Sequence, residues 1–277
     1  TIDNRGSVQL RVNGIVVGKQ EMLALNPKDI AKINFINNPG VRYGESIAYV
    51  IDIVTRRSES GYTIGTDITS ALTTLQGDGS VYGKWNHGKS EWSLSYDVSG
   101  YKNKGEKSKQ LAEYTLTDGS IYTIERNDVE SLRKTIAHEA KLTYNWADST
   151  ATVFQTSLSG TFNNTPDNYN IKDITDGSRQ YRATSWDDDK SYSPVLDIYF
   201  FRQFTPRQSF TANAVGTYIS TQTNSFYDEG TPYQYAVDGK TASLLSEVIY
   251  ENRLKPFTLS TGLNYSYKYT KNDYRGD

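Results

Sequence analysis

Three consecutive carboxylates, Asp187, Asp188 and Asp189 in "SWDDDKSY", form a dense run of oxygen ligands. Calcium takes roughly six to eight such oxygens, but the EF-hand spacing is absent, so the segment reads either as a calcium site or as a solvated acidic loop. A second segment, "NSFYDEGTPYQYAVDG", gathers Phe226, Tyr227, Tyr233 and Tyr235. Exposed rings of this kind stack on a sugar or a chelate ring, or else pack a loop against its neighbour. Catalytic chemistry finds little footing. Of the 2 histidines, His87 falls in a tight turn and His138 on an apolar register near a strand's outer end. No G-x-S-x-G, H-E-x-x-H or phosphate-cradling glycine loop occurs, and nothing singles out a catalytic pair among the 32 acids. The expectation is a binding protein, with no enzyme activity and no cofactor beyond that calcium.

Charge and composition narrow the classes further. The 277-residue chain has a formal net charge of −2, so neither nucleic acid nor an anionic membrane surface is an expected partner. Cysteine is absent, which excludes disulfides and Cys-ligated zinc. With 22 Tyr, 9 Phe and 4 Trp against 1 Met, the composition favours strands. No window holds the roughly 18 uninterrupted apolar residues of a membrane-spanning helix. That test is blind to β-barrels, whose lipid-facing residues alternate with lumen residues.

Strands must therefore position these groups. In "EWSLSYDVSGY" (91–101), Trp92, Leu94, Tyr96 and Val98 share one face, and Ser93, Ser95, Asp97 and Ser99 share the other. The length suits a tilted membrane strand of about 9 to 11 residues. Residues 136–146 repeat the pattern, with Ile136, Ala140, Leu142, Tyr144 and Trp146 opposite Glu139, Lys141, Thr143 and Asn145. Residues 257–269 do so with Phe257, Leu259, Leu263, Tyr265, Tyr267 and Tyr269. Noisier runs at 62–72, 79–86, 151–162, 192–202, 209–220 and 241–251 bring the expectation to about nine strands of the barrel type. Asp67, Asp97, Glu139, Asp197, Glu247 and Glu251 alternate onto the polar face.

Short turns at 86–90, 145–150, 202–208 and 252–257 separate pairs of strands, while polar segments at 102–135, 163–190 and 221–240 read as long loops. That rhythm matches an outer-membrane barrel, with tight turns at one end and long loops at the other. Trp85, Trp92, Trp146, Phe154, Phe204, Phe210 and Phe257 gather beside the short turns, where they would form an interfacial girdle. A soluble sandwich or propeller also alternates. Against it stand polar faces of mostly Ser, Thr and Asn, and long segments all on one side. An odd strand count leaves two open edges in lipid, so the chain is expected to be a piece of a larger barrel.

The first sixty residues differ. "SVQLRVNGIVVG" is a hairpin around Asn13-Gly14, "KQEMLALNPKDI" a short helical segment with Pro27 restarting a turn, and 31–40 and 47–57 two more strands. The series Val12-Asn13-Gly14, Leu23 through Ile30, Ile33 with Ile36, Pro39 through Gly44 and Val50 through Arg57 resembles the second half of the plug domain of TonB-dependent outer-membrane receptors, in the style found in Bacteroidetes. Ala48-Tyr49 stands where the family has small residues, and Asp52 where Asn is common.

In that family a plug fills a barrel of about 22 strands. The resemblance implies 1–58 as the C-terminal half of the plug and 59–277 as the N-terminal part of the barrel. The expected fold is then all-β, a transmembrane antiparallel barrel with a small α+β plug segment. It implies a Gram-negative outer-membrane location and nutrient uptake driven by a TonB-type energy-coupling protein. The substrate would be a small molecule, glycan or peptide, with a surface lipoprotein as a further partner. Arg42, Tyr43, Arg56 and Arg57 would face Asp97 and Glu139 across the plug–barrel contact, or Arg42 and Tyr43 merely occupy a turn set by Gly40 and Gly44. The runners-up are a non-transporting barrel used as an adhesin or assembly subunit, and a soluble β-sheet binding module.

Overall fold

A computed structural model of the protein describes residues 7–17, Met22, Leu25, 27–37, 47–55, 60–148 and 151–276. These residues form two sheets, and the regular structure is almost entirely strand. The smaller sheet holds β1 (Ser7–Val12), β2 (Ile15–Val16), β3 (Ile30–Asn37) and β4 (Ile47–Thr55), in the order β2-β1-β4-β3. Asn13-Gly14 closes the β1–β2 hairpin, with both residues at positive φ as a tight turn of this kind requires. Asn13 is tied to Thr55 through both side-chain atoms, and the Gly14 N–H donates to Asp52 at 2.8 Å. The carboxylate at position 52 thus fixes the turn to the parallel neighbour strand. Half of the helical segment expected at 19–30 lies outside the described residues. Its end, Pro27–Asp29, is a single 3-10 turn.

The large sheet has ten antiparallel strands. They are β5 (Ser60–Ser70), β6 (Leu75–His87), β7 (Ser90–Lys104), β8 (Lys109–Thr115), β9 (Ile121–Asp148), β10 (Thr152–Asp176), β11 (Arg179–Thr205), β12 (Gln208–Asp228), β13 (Pro232–Arg253) and β14 (Thr258–Gly276). β8 pairs only with β9, and the other nine follow one another in chain order across the sheet. The expected strand cores all lie within this path.

The expected long loops are a correction. Residues 163–176, 179–190, 221–228 and 232–240 continue the strand ladders without a break in pairing partner, and 109–115 with 121–135 adds the extra strand β8. Polar composition concealed them. Scattered Thr, Tyr and Ile residues, among them Thr165, Tyr169, Ile171, Tyr181 and Thr184, favour the extended backbone, and glycines at positive φ turn the chain tightly at Gly119, Gly177 and Gly230.

Register sorts the large sheet into two unlike faces. On the outer face one rung runs Ile64–Gly83–Leu94–Leu142–Leu158–Leu196–Gly216–Leu244–Tyr267 across nine strands. Its large side chains are 40 to 74% exposed. The aromatics beside the short turns share this face: Trp85 opposes Trp92, Trp92 packs on Tyr144 at 4.4 Å, and Phe200 lies 6.2 Å from Phe210.

The inner face carries Ser, Thr, Asn and carboxylates and meets the small sheet. A cleft between them is lined by Val12, Val17 and Leu25 on one side and Tyr82, Thr143 and Asn145 on the other. Val50, Val12 and Ile53 are buried with Tyr82 and Ala147, so the core lies between the sheets. Gln155 Nε2 reaches the Asn13 carbonyl at 3.5 Å.

Candidate functional site

Above the apolar rung, β9 to β13 run on to their hairpin tips, and their inner faces build the richest side-chain cluster. Ile174 and Ala183 are buried there and fix the spacing of the β10–β11 hairpin. A shift in the ladder at Thr165/Asn168 moves the even-numbered residues of β10 to the inner side. Arg126, Ile174 and Tyr181 consequently form one rung. Tyr181 donates to Glu229 Oε1 at 3.0 Å, and Tyr227 donates to Glu229 Oε2. Tyr122 donates to Asp176. Tyr227 faces Tyr233 directly across the strand pair, with ring centroids 5.4 Å apart. Tyr233 and Tyr235 follow at 6.4 Å with planes only 15° apart.

Electrostatics favour the protonated form of the Tyr227, Tyr181 and Tyr122 hydroxyls. The bond to Glu229, then burial and the carboxylate charge, push the Tyr227 hydroxyl up to about 12. Burial and the same carboxylate raise Tyr181, and the bond to Asp176 raises Tyr122. Burial pushes Asp128 upward, but hydrogen bonds from Ser108 and Asn170 and the Lys172 charge outweigh it and lower its carboxyl.

A second inner-face feature sits lower, among β5, β6, β7, β9 and β10. Asp67, Asp78, Asp97 and Glu139 line a cavity of about 290 Å³ together with Ser80, Thr161 and Asn163. Asp97 and Glu139 are direct cross-strand neighbours. Like charges so placed repel, so this wall favours an incoming cation. A third cavity, about 350 Å³, lies between the sheets and is lined by Arg11, Asp52, Lys141, Gln155, Asp197 and Asn213.

Asp97 and Glu139 are thus brought together on the inner face, whereas Arg42, Tyr43, Arg56 and Arg57, expected opposite them, lie outside the described residues. Asp187, Asp188 and Asp189 are not in a loop but on β11, paired to Ser225, Asn224 and Thr223. Strand alternation sends Asp188 to the face opposite its neighbours, so the three do not converge. No group of three or more metal-ligating His, Asp or Glu side chains is found among the described residues. Tyr227, Tyr233 and Tyr235 form one ledge, but Phe226 points to the other face, opposite Trp186 and Gln234. Glu229, Tyr181, Tyr122, Asp176 and Arg126 escaped the sequence reading. The turn dipeptides Asp118-Gly119, Asp176-Gly177 and Glu229-Gly230 were the available signal that hairpin tips bring them together.

No protein-family model, curated protein or solved structure matches this chain.

Proposed function

We propose that the chain is part of a plugged outer-membrane transport receptor, the large sheet a section of barrel wall and the small sheet the C-terminal part of the plug. The apolar rung from Ile64 to Tyr267 supports this most directly. It spans nine strands, stays exposed, and no described element covers it. In water so broad an apolar face would associate or aggregate. In lipid it is the stable arrangement, with aromatics anchoring the interface. The polar inner face and the small sheet seated on it fit a plugged lumen.

In this reading a nutrient binds on the inner ledge at the cell surface, with no covalent chemistry and no cofactor. A TonB-type energy-coupling protein then displaces the plug, and a surface lipoprotein is a further partner near the hairpin tips.

Extraction of the natural protein tests the proposal. The expected result is a detergent-dependent outer-membrane protein with a heat-modifiable gel band, and a polypeptide longer than these 277 residues. Recovery in the aqueous fraction without detergent would sink it in favour of a soluble β-sheet binding module.

A further inference from the structure

The ledge at the hairpin tips combines flat aromatic faces with fixed carboxylate acceptors. Tyr233 and Tyr235 are exposed and nearly parallel, and Tyr227 closes one end against Tyr233. Glu229 is pinned there by the hydroxyls of Tyr227 and Tyr181. One rung across, Asp187, Ser225 and Tyr235 are successive neighbours, and the Ser225 hydroxyl holds Asp187 Oδ1 at 2.7 Å. Each carboxylate oxygen has two acceptor positions, so both acids retain capacity for further donors.

Resting on the receptor reading above, we propose that this ledge binds a neutral carbohydrate chain. The C–H faces of its pyranose rings stack on Tyr233 and Tyr235, and its hydroxyls donate to Glu229 and Asp187. Tyrosine suits this task because it offers a large rigid face at low entropy cost. The charges argue against the other classes. An anionic ferric chelate calls for clustered Arg or Lys donors, whereas it would meet two carboxylates here. An organic cation would find aromatic faces but compete with Arg126, whose charge already acts on Tyr181 and Tyr227.

The test uses the full natural protein in detergent and titration calorimetry with gluco-, manno- and xylo-hexasaccharides, a ferric catecholate and a neutral hexapeptide. At least one hexasaccharide is expected to bind more tightly than the chelate and the peptide. Changing Tyr233→Ala and Tyr235→Ala together should weaken it at least about tenfold, roughly the loss of one good contact. Changing both to Phe should preserve it, and an unaltered heat-modifiable band certifies folding of each variant. Chelate or peptide binding in preference to every sugar overturns the proposal, as does silence from all sugars or indifference to the Ala pair. Each of those results leaves the receptor reading standing, because only loss of the detergent requirement and of the heat-modifiable band removes that.

Discussion

Glu229 belongs to no motif, yet two tyrosine hydroxyls converge on it and make it the anchor of the upper cluster. The Tyr227 hydroxyl is raised from 10.0 to about 12. A group whose folded value is raised contributes stability below its unfolded value and loses it as pH climbs through the folded one. The contribution is thus complete below about pH 10 and gone above about pH 12. Absorbance titration at alkaline pH should show one phenolate transition near 12 that Tyr227→Phe removes; loss of a transition near 10 instead would contradict the geometry.

Asp128 provides the acid-side counterpart. Its lowered carboxyl favours the fold above the ordinary carboxylate range, and that support fades as pH falls through the folded value. The Ser108 N–H donates to it at 2.8 Å. Asp128→Asn should speed amide exchange at Ser108 about tenfold, as expected for a charge-assisted bond of about 1.5–3 kcal/mol partly retained. Unchanged exchange would deny the bond a role. At this scale the sequence showed the aromatics but not their acceptor, because Glu229 and Tyr181 meet only when two separate hairpins pack side by side.

Alternation was the strongest signal at the scale of elements. Trp92, Leu94 and Tyr96 share a face because a strand repeats every two residues, and the structure sets Leu94 opposite Leu142 on that face. The far halves of β9 to β13 were illegible as strands. Their polar letters resemble loop, and only the glycine turns betray the pairing. Gly119, at φ +83°, makes one such turn. Gly119→Val should cost about 1–2 kcal/mol, read as faster amide exchange along β8 and β9 with β12 and β13 unaffected.

The two faces differ in what they tolerate. Leu142→Arg should destabilise by about 2–4 kcal/mol in lipid vesicles, whereas Ser266→Arg on the inner face should cost less than about 1 kcal/mol. Denaturant unfolding from vesicles separates them, and equal costs would mean the faces share one solvent.

Across the whole molecule, the small sheet seats against the polar inner face while the apolar outer face stays bare. Strand patterning in the sequence set the first sixty residues apart from the long alternating run, and the described strands of the small sheet end at Thr55 while those of the large sheet begin at Ser60. Residue patterning alone did not announce where the small sheet sits, because that depends on contacts such as the Gln155 side chain on the Asn13 main-chain carbonyl, which are far apart in the chain. Because the chain contains no cysteine, single-cysteine labelling tests most directly which face meets lipid. Leu94→Cys, Leu142→Cys, Leu158→Cys and Leu244→Cys would be compared in native membranes with Asp67→Cys, Glu139→Cys and Ser266→Cys. The account predicts that a membrane-impermeant maleimide spares the first set and labels the second once the outer membrane is made permeable, while a lipid-dissolved quencher reaches only the first. Equal labelling of both sets by the water-soluble reagent would contradict it.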